Sequence, residues 1–236
     1  MHHLYRRRSG SQEHWVSLSD IMTALMIIFL LISVVYMLKV KETVDIPRIL
    51  KTNEQQIYQQ MNQQLGNSLK KWGAILNSDL TVRFNDHNIM FGVGSSELNP
   101  VFKAALDEFF PIYISNLMQD KYLGTIKEIR IEGHTSSHWA AGVDDNLAYI
   151  MNMQLSQNRA QNTLIYLLNH PKLSPQEKQW LKKKVRAIGY SSALPLANDG
   201  EPATALKPEN KEKSQRVEFR VVTTAEDQIR KIAYAE

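Results

Sequence analysis

Between Trp15 and Leu38 the chain carries one charged residue, Asp20, and from Ile21 onward the run is almost wholly apolar. At about 1.5 Å rise per residue, such a stretch crosses a hydrocarbon core of about 30 Å. It is too long for the apolar core of a signal peptide, and no small-residue cleavage site follows Tyr36, Met37 and Leu38. The pattern predicts an uncleaved transmembrane helix over residues 15–38, with Trp15 and Tyr36 near its ends as interfacial aromatics. Residues 39–77 are polar overall, yet Ile57, Met61, Leu65, Leu69, Trp72 and Leu76 recur every three or four positions. That spacing gives a helix with one apolar face. The face either leans on a folded domain as a stalk or pairs with a second copy of itself. Pro47 is expected to mark where this helix starts afresh.

From about residue 78 the pattern turns mixed. Leu80–Phe84 and Asn88–Phe91 read as short strands, Ile126–Gly133 and Arg216–Thr223 alternate as strands should, and Val185–Tyr190 is a further strand. Asn99 and Pro100 open a helix whose apolar face runs through Phe102, Leu106, Phe109 and Phe110. Leu155–Leu168 is a second helix, Ser174–Lys184 an extra one, and Leu194–Lys213 a long polar loop. The order β-α-β-α-β-β predicts an α/β domain, an α+β sandwich with helices on one face of a mixed sheet. The expected organisation is an N-terminus over 1–14, the span over 15–38, a helical linker over 39–77, the domain over 78–224 and a tail over 225–236.

Composition narrows the classes. The net charge of +4 is mildly basic, without a Lys/Arg run of the kind that binds nucleic acid. Arg6, Arg7 and Arg8 are better placed on anionic lipid headgroups. With no cysteine, disulfide frameworks and thiolate metal sites are excluded. Lys39, Lys41, Arg48 and Lys51 follow the span, so a bare charge count leaves orientation open. The short N-terminus makes a cytoplasmic N-terminus and an exported domain the easier topology. His134 and His138 are spaced as helical metal ligands, but they follow a strand and no Glu base lies between them, so no metal site is expected. No nucleophile–base pair, phosphate-binding glycine loop or carboxylate dyad stands out, and no enzymatic activity is expected.

Three segments occur in order: IRIEGHTSS (129–137), NMQLSQNRAQNTLIYLL (152–168) and SQRVEFRV (214–221). Together they resemble the OmpA-like peptidoglycan-binding domain, in which a strand ending G-H-T-D precedes N-x-x-L-S-x-x-R-A and a closing R-R-V-E strand. The resemblance implies that Arg159 clasps the carboxylate of diaminopimelate in a wall peptide, with Asn152, Leu155 and Thr135 on matching positions. A guanidinium fork suits that task, since it binds a carboxylate bidentately. The alternative is an internal ion pair of Arg159 with Asp144, Asp145 or Glu132. The chain departs from the pattern at Ser136, where the family has an acidic residue. Either Asp144 or Asp145 then supplies the counter-charge for the ligand's amine, or the wall is bound weakly or differently.

Asp20 raises a separate question. A charge within a bilayer costs roughly 2.5–3.5 kcal/mol on insertion scales, so such residues usually face a protein partner or an aqueous path. Near the head of its segment, Asp20 could also be an interfacial cap beside Ser17 and Ser19. The stretch WVSLSDIMTALM (15–26) resembles the membrane helix of MotB-type stator subunits, where a Trp stands five residues before an Asp followed by x-M-T-A-x-M. That resemblance implies an inner-membrane subunit, two copies of which sit inside a pentameric ring of MotA-like partners. Asp20, with Thr23 one turn on, would pass H+ or Na+, and no other cofactor is implied. Ser19 before the aspartate and GHTSS in the outer domain look more like ZorB-type subunits of Zorya anti-phage systems than like flagellar stators. A flagellar stator and a passive wall tether are the alternatives.

Overall fold

The computed structural model describes residues 10–225. Arg6–Arg8 and the tail beyond residue 225 lie outside the described residues. One helix, α1 (Gly10–Leu69), runs from the membrane segment into the folded domain without a break. Its 60 residues correspond to roughly 90 Å. Within it, Leu18–Lys41 is long and apolar enough to cross a membrane, with mean hydropathy 2.7. Pro47 does not restart the helix as expected. A proline removes one i→i−4 hydrogen bond at a cost of about 3 kcal/mol, yet α1 continues through it.

The second half of α1 belongs to the domain core. Ile57, Met61 and Leu65 are at most 1 % exposed, and Leu69 and Trp72 are buried with them. They pack on α3 (Pro100–Leu117), where the Trp72 ring meets Phe109 edge-on at 5.9 Å. A polar seam fixes the register of the two helices: Gln60 donates to Asn116 at 3.0 Å, and Asn116 donates to Gln64 at 2.8 Å. The stalk reading is therefore the correct one, and the apolar face is used within the chain.

The sheet has five strands in the order β1-β2-β5-β3-β4. They are β1 (Ala74–Leu76), β2 (Thr81–Phe84), β3 (Ile126–His134), β4 (Val185–Gly189) and β5 (Arg216–Thr223). Only β3 and β4 pair in parallel. Ile129 and Ile131 of β3, with Val217, Phe219 and Val221 of β5, form the core face under α3. Phe219 there touches Phe109, Phe110 and Tyr113. Also on that face lies α4 (Asp145–Leu168). Residues 88–91 are not a strand. His87–Met90 forms a one-turn helix, α2, with Met90 and Phe91 as buried anchors. An apolar run of three residues, Ile89–Phe91, cannot distinguish the two by period. After α4, α5 (Pro175–Lys184) begins with a full capping box of Ser174 and Glu177. The one-turn helix α6 (Lys211–Ser214) ends the long loop before β5.

Candidate functional site

Where α4 crosses β3 and β4, two glycines face each other, Gly133 and Gly189. A Cβ on Gly133 would overlap the Ser156 carbonyl oxygen, and one on Gly189 would lie 2.5 Å from the Gln157 amide nitrogen. The helix backbone thus rests directly on the sheet. Ser156 and Gln157 tie it there: Ser191 N–H donates to Ser156 Oγ at 2.9 Å, and Gly189 N–H donates to Gln157 Oε1 at 2.8 Å. This contact aims the buried side of α4, namely Asn152, Ser156, Arg159 and Thr163, toward the sheet and the loop before α3.

Arg159 is 4 % exposed. Its Nε donates to the Ser95 carbonyl at 2.9 Å, its Nη2 to the Gly92 carbonyl at 3.4 Å, and its guanidinium lies 4.9 Å from the centre of the Phe91 ring. Burial pulls its pKa down to about 10, so the side chain remains a cation at neutral pH. Among the described residues no carboxylate pairs with it. The internal ion pair considered from the sequence is absent: Asp144 caps α4 through the Asn146 and Leu147 amides, and Glu132 faces the opposite side of the sheet with Arg220. Asp144 and Asp145 also stand at the far end of α4 from Arg159. Fourteen residues of helix separate Asp145 from Arg159, or about 21 Å. Neither can share a small ligand with that guanidinium.

The other matching positions surround the end of β3. Thr135 is buried, donates its N–H to the Ser191 carbonyl at 2.9 Å, and its hydroxyl has no partner among the described residues. Asn152 is buried and its amide lies 3.5 Å from the His138 carbonyl, while Leu155 is half-buried. Ser137, following Ser136, donates both N–H and hydroxyl to Glu209, at 3.1 and 2.5 Å. Glu209 comes from the long loop, and no spacing in the sequence links it to the turn.

The outer face of the sheet holds a layer of buried charge that alternation alone presents as a solvent face. Arg83 and Arg216 both donate to Glu218 Oε1 at 2.7 Å, and the loop closes over them, with Arg83 reaching the Gly200 carbonyl and Arg216 that of Leu194. His134 stacks on Tyr190 at 5.1 Å, with Nε2 3.6 Å from Glu132 and 3.9 Å from Glu218. Ligand-type atoms of Glu132, His134 and Glu218 all lie within 4.8 Å of one another. They do not suit a metal cation, because Arg83, Arg216 and Arg220 already neutralise the carboxylates and would repel it.

This layer sets an acid limit on stability. Burial pushes the Glu218 carboxyl up, but Arg216, His134 and Arg83 together outweigh it and hold the group at about 2. Burial, partly opposed by Glu132, holds His134 below the usual imidazole value. In both cases the unfolded chain takes up protons first, so stability is greatest at neutral pH and falls on acidification. Urea denaturation of the detergent-solubilised chain should show a first decline below about pH 6.5 and a steeper one below about pH 4.5. His134→Gln should remove the first decline and spare the second.

At the membrane end Asp20 is exposed on α1, and Thr23 Oγ1 donates to the Ser19 carbonyl at 2.7 Å. The two side chains share a side of the helix, being three residues apart. No other carboxylate lies between Leu18 and Leu38.

Comparison with known proteins accords with this geometry. Residues 90–209 match the OmpA family. The Zorya protein ZorB of Escherichia coli strain Crooks is 41 % identical over 231 residues, covering 96 % of this chain and 94 % of that protein. The Zorya protein ZorB of Escherichia coli O139:H28 is 28 % identical, covering 92 % of this chain and 83 % of that one. Among solved structures, a MotB-like protein from Desulfovibrio vulgaris superposes with TM-score 0.50 at 21 % identity, over 75 % of this chain and 98 % of that one, which shows the shared fold. Among the described residues one helix is long and apolar enough to cross a membrane, and it leads directly into a domain of this fold. With an OmpA-type domain and close identity over nearly all its length, the chain belongs to the ZorB family of Zorya proteins.

Proposed function

We propose that the chain is the stator-type subunit of an ion-driven inner-membrane motor that serves anti-phage defence. Its N-terminus is cytoplasmic and its C-terminal domain periplasmic. The observation that carries this reading is the continuity of α1, which puts a lone carboxylate in the span and a wall-binding type of domain on one unbroken helix. A tether needs no charge in the span, and a channel subunit needs no wall anchor.

At about 100° per residue, Asp20 shares its side of the helix with Thr23, Ala24, Ile27 and Leu31. Leu18, Met22, Leu25, Phe29 and Ile32 lie on the other side. Two copies meeting through that apolar side direct their aspartates outward, in opposite directions, toward a surrounding pentamer. H+ or Na+ entering from the periplasm neutralises Asp20, and release on the cytoplasmic side restores its charge. Each elementary charge crossing delivers about 2.3 kcal/mol per 100 mV. Reaction torque passes up the rigid helix to the domain, where Arg159 grips a carboxylate of the wall peptide and holds the pair still.

Arg159→Ala tests the anchoring arm. In cells carrying the native operon it is expected to reduce co-sedimentation of the chain with purified sacculi at least tenfold, and phage plating efficiency should rise toward that of cells lacking the operon. Wild-type sedimentation and protection in this variant would remove the wall from the mechanism.

A further inference from the structure

With the loop before α3 in place, Arg159 cannot offer a carboxylate the side edge of its guanidinium. That edge carries the Nε and Nη2 donors, a pair whose spacing matches the two oxygens of a carboxylate. Here the pair meets the Ser95 and Gly92 carbonyls at 2.9 and 3.4 Å. At 4 % exposure the rest of the side chain is out of a ligand's reach. Two backbone oxygens of one loop therefore stand where the two oxygens of a ligand would. Being neutral, they satisfy the donors without supplying the counter-charge that strengthens such bonds.

The loop has the build of a lid. Its base is closed by an isolated antiparallel bridge between Phe91 and Leu98, and by the Asn99 N–H on the Met90 carbonyl at 2.9 Å. Phe91 and Leu98 are buried, whereas none of the six residues between them is, and Val93 is fully exposed. A tight turn shapes the tip, with the Ser95 N–H on the Gly92 carbonyl at 3.0 Å and Gly94 at φ of +65°. Besides Arg159, Asn162 of α4 fastens the lid, donating to the Ser96 carbonyl at 2.8 Å and to its hydroxyl at 3.2 Å.

We infer that residues 92–97 are an autoinhibitory lid, whose carbonyls hold Arg159 until the lid lifts and a wall carboxylate takes their place. The inference rests on the wall-binding reading and adds a regulated step to it. Phe91 belongs to the buried base and stays behind, so its ring, 4.9 Å from the guanidinium, keeps Arg159 seated while its fork is uncovered. Apparent affinity then scales with the fraction of open molecules. Weakening the closed lid strengthens wall binding, the opposite of what losing a binding residue does.

The test is co-sedimentation of the full-length chain in detergent with purified sacculi. Asn162→Ala removes both bonds to Ser96, spares Arg159 and suits a helix, and it should raise apparent affinity roughly five- to tenfold. Gly94→Ala probes the lid from its own side. Nothing lies within 4 Å of the added Cβ, so the substitution strains the closed turn without a clash. A gain of about two- to fivefold is expected. Adding Arg159→Ala to Asn162→Ala should abolish binding. Unchanged or weakened sedimentation of both Asn162→Ala and Gly94→Ala, with Arg159→Ala still losing it, overturns the lid and leaves the wall reading intact. Wild-type sedimentation of Arg159→Ala, or none by any of these proteins, overturns the wall reading and this inference with it.

Discussion

Asp20→Asn is expected to abolish phage protection while the protein still accumulates in the membrane. The substitution is nearly isosteric and removes only the capacity to carry a charge that an ion can neutralise. Asparagine should be tolerated better than aspartate by the bilayer, because an ionised carboxylate there costs roughly 2.5–3.5 kcal/mol on insertion scales. Insertion and assembly should therefore be preserved or improved. Thr23 cannot compensate, since it has no titratable group and its hydroxyl is committed to the Ser19 carbonyl. Plating efficiency, scored beside immunoblots of membrane fractions, separates loss of work from loss of protein. A tether would protect equally well with Asn, whereas the cap considered from the sequence is not available, because α1 begins at Gly10 and Asp20 lies inside the helix rather than at its start.

Gly133→Val is expected to have the largest effect on the domain. The new side chain meets the Ser156 backbone, which cannot swing aside as a flexible side chain would. Relief requires α4 to lift off β3, breaking the Ser156–Ser191 and Gln157–Gly189 bonds that fasten it. Overpacking of this kind costs typically 1–3 kcal/mol, and with a fixed backbone on the other side a loss at or above about 3 kcal/mol is expected. Because α4 also carries Asn152 and Arg159, binding to sacculi should fall together with the urea midpoint. Gly142→Val is the control. That glycine has φ of +82°, so strain is expected, but nothing lies near its Cβ and α4 keeps its seat.

What could be foreseen from sequence follows from where the controlling chemistry lies. The membrane helix, α5 with its Ser174–Glu177 box, and α4 with its N-x-x-L-S-x-x-R-A pattern are specified by neighbouring residues, but only α5 keeps the expected bounds: α4 begins at Asp145, ten residues before Leu155, and the membrane helix continues through Pro47 to Leu69. The three residues of β1 and the single turn of α2 are too short for a period to develop, so tertiary contacts decide them. The alternation of Arg216–Thr223 identifies two faces but not what covers them. Glu218 lies under a loop whose anchors at Leu194 and Gly200 are far from β2 and distinct in sequence from β5. The candidate site shows the same division. Arg159 was readable from its motif, whereas its partners Gly92 and Ser95 lie more than sixty residues away and the reach of Glu209 to Ser137 spans 72. The roles first considered for Asp144 and Asp145 fail on helix length, a quantity that becomes usable only once α4 is known to begin at Asp145.

Ion flux tests the account most directly. Inside-out membrane vesicles carrying this chain with the ring-forming membrane partner proposed for it would be energised to set an inside-positive potential, and H+ and Na+ release into the medium recorded with fluorescent indicators. The account predicts potential-driven release of one of the two ions by wild type, reduced to the level of vesicles lacking the complex in Asp20→Asn. Equal flux from wild type and Asp20→Asn would contradict it, as would the absence of any flux from vesicles in which the assembled complex is demonstrably present.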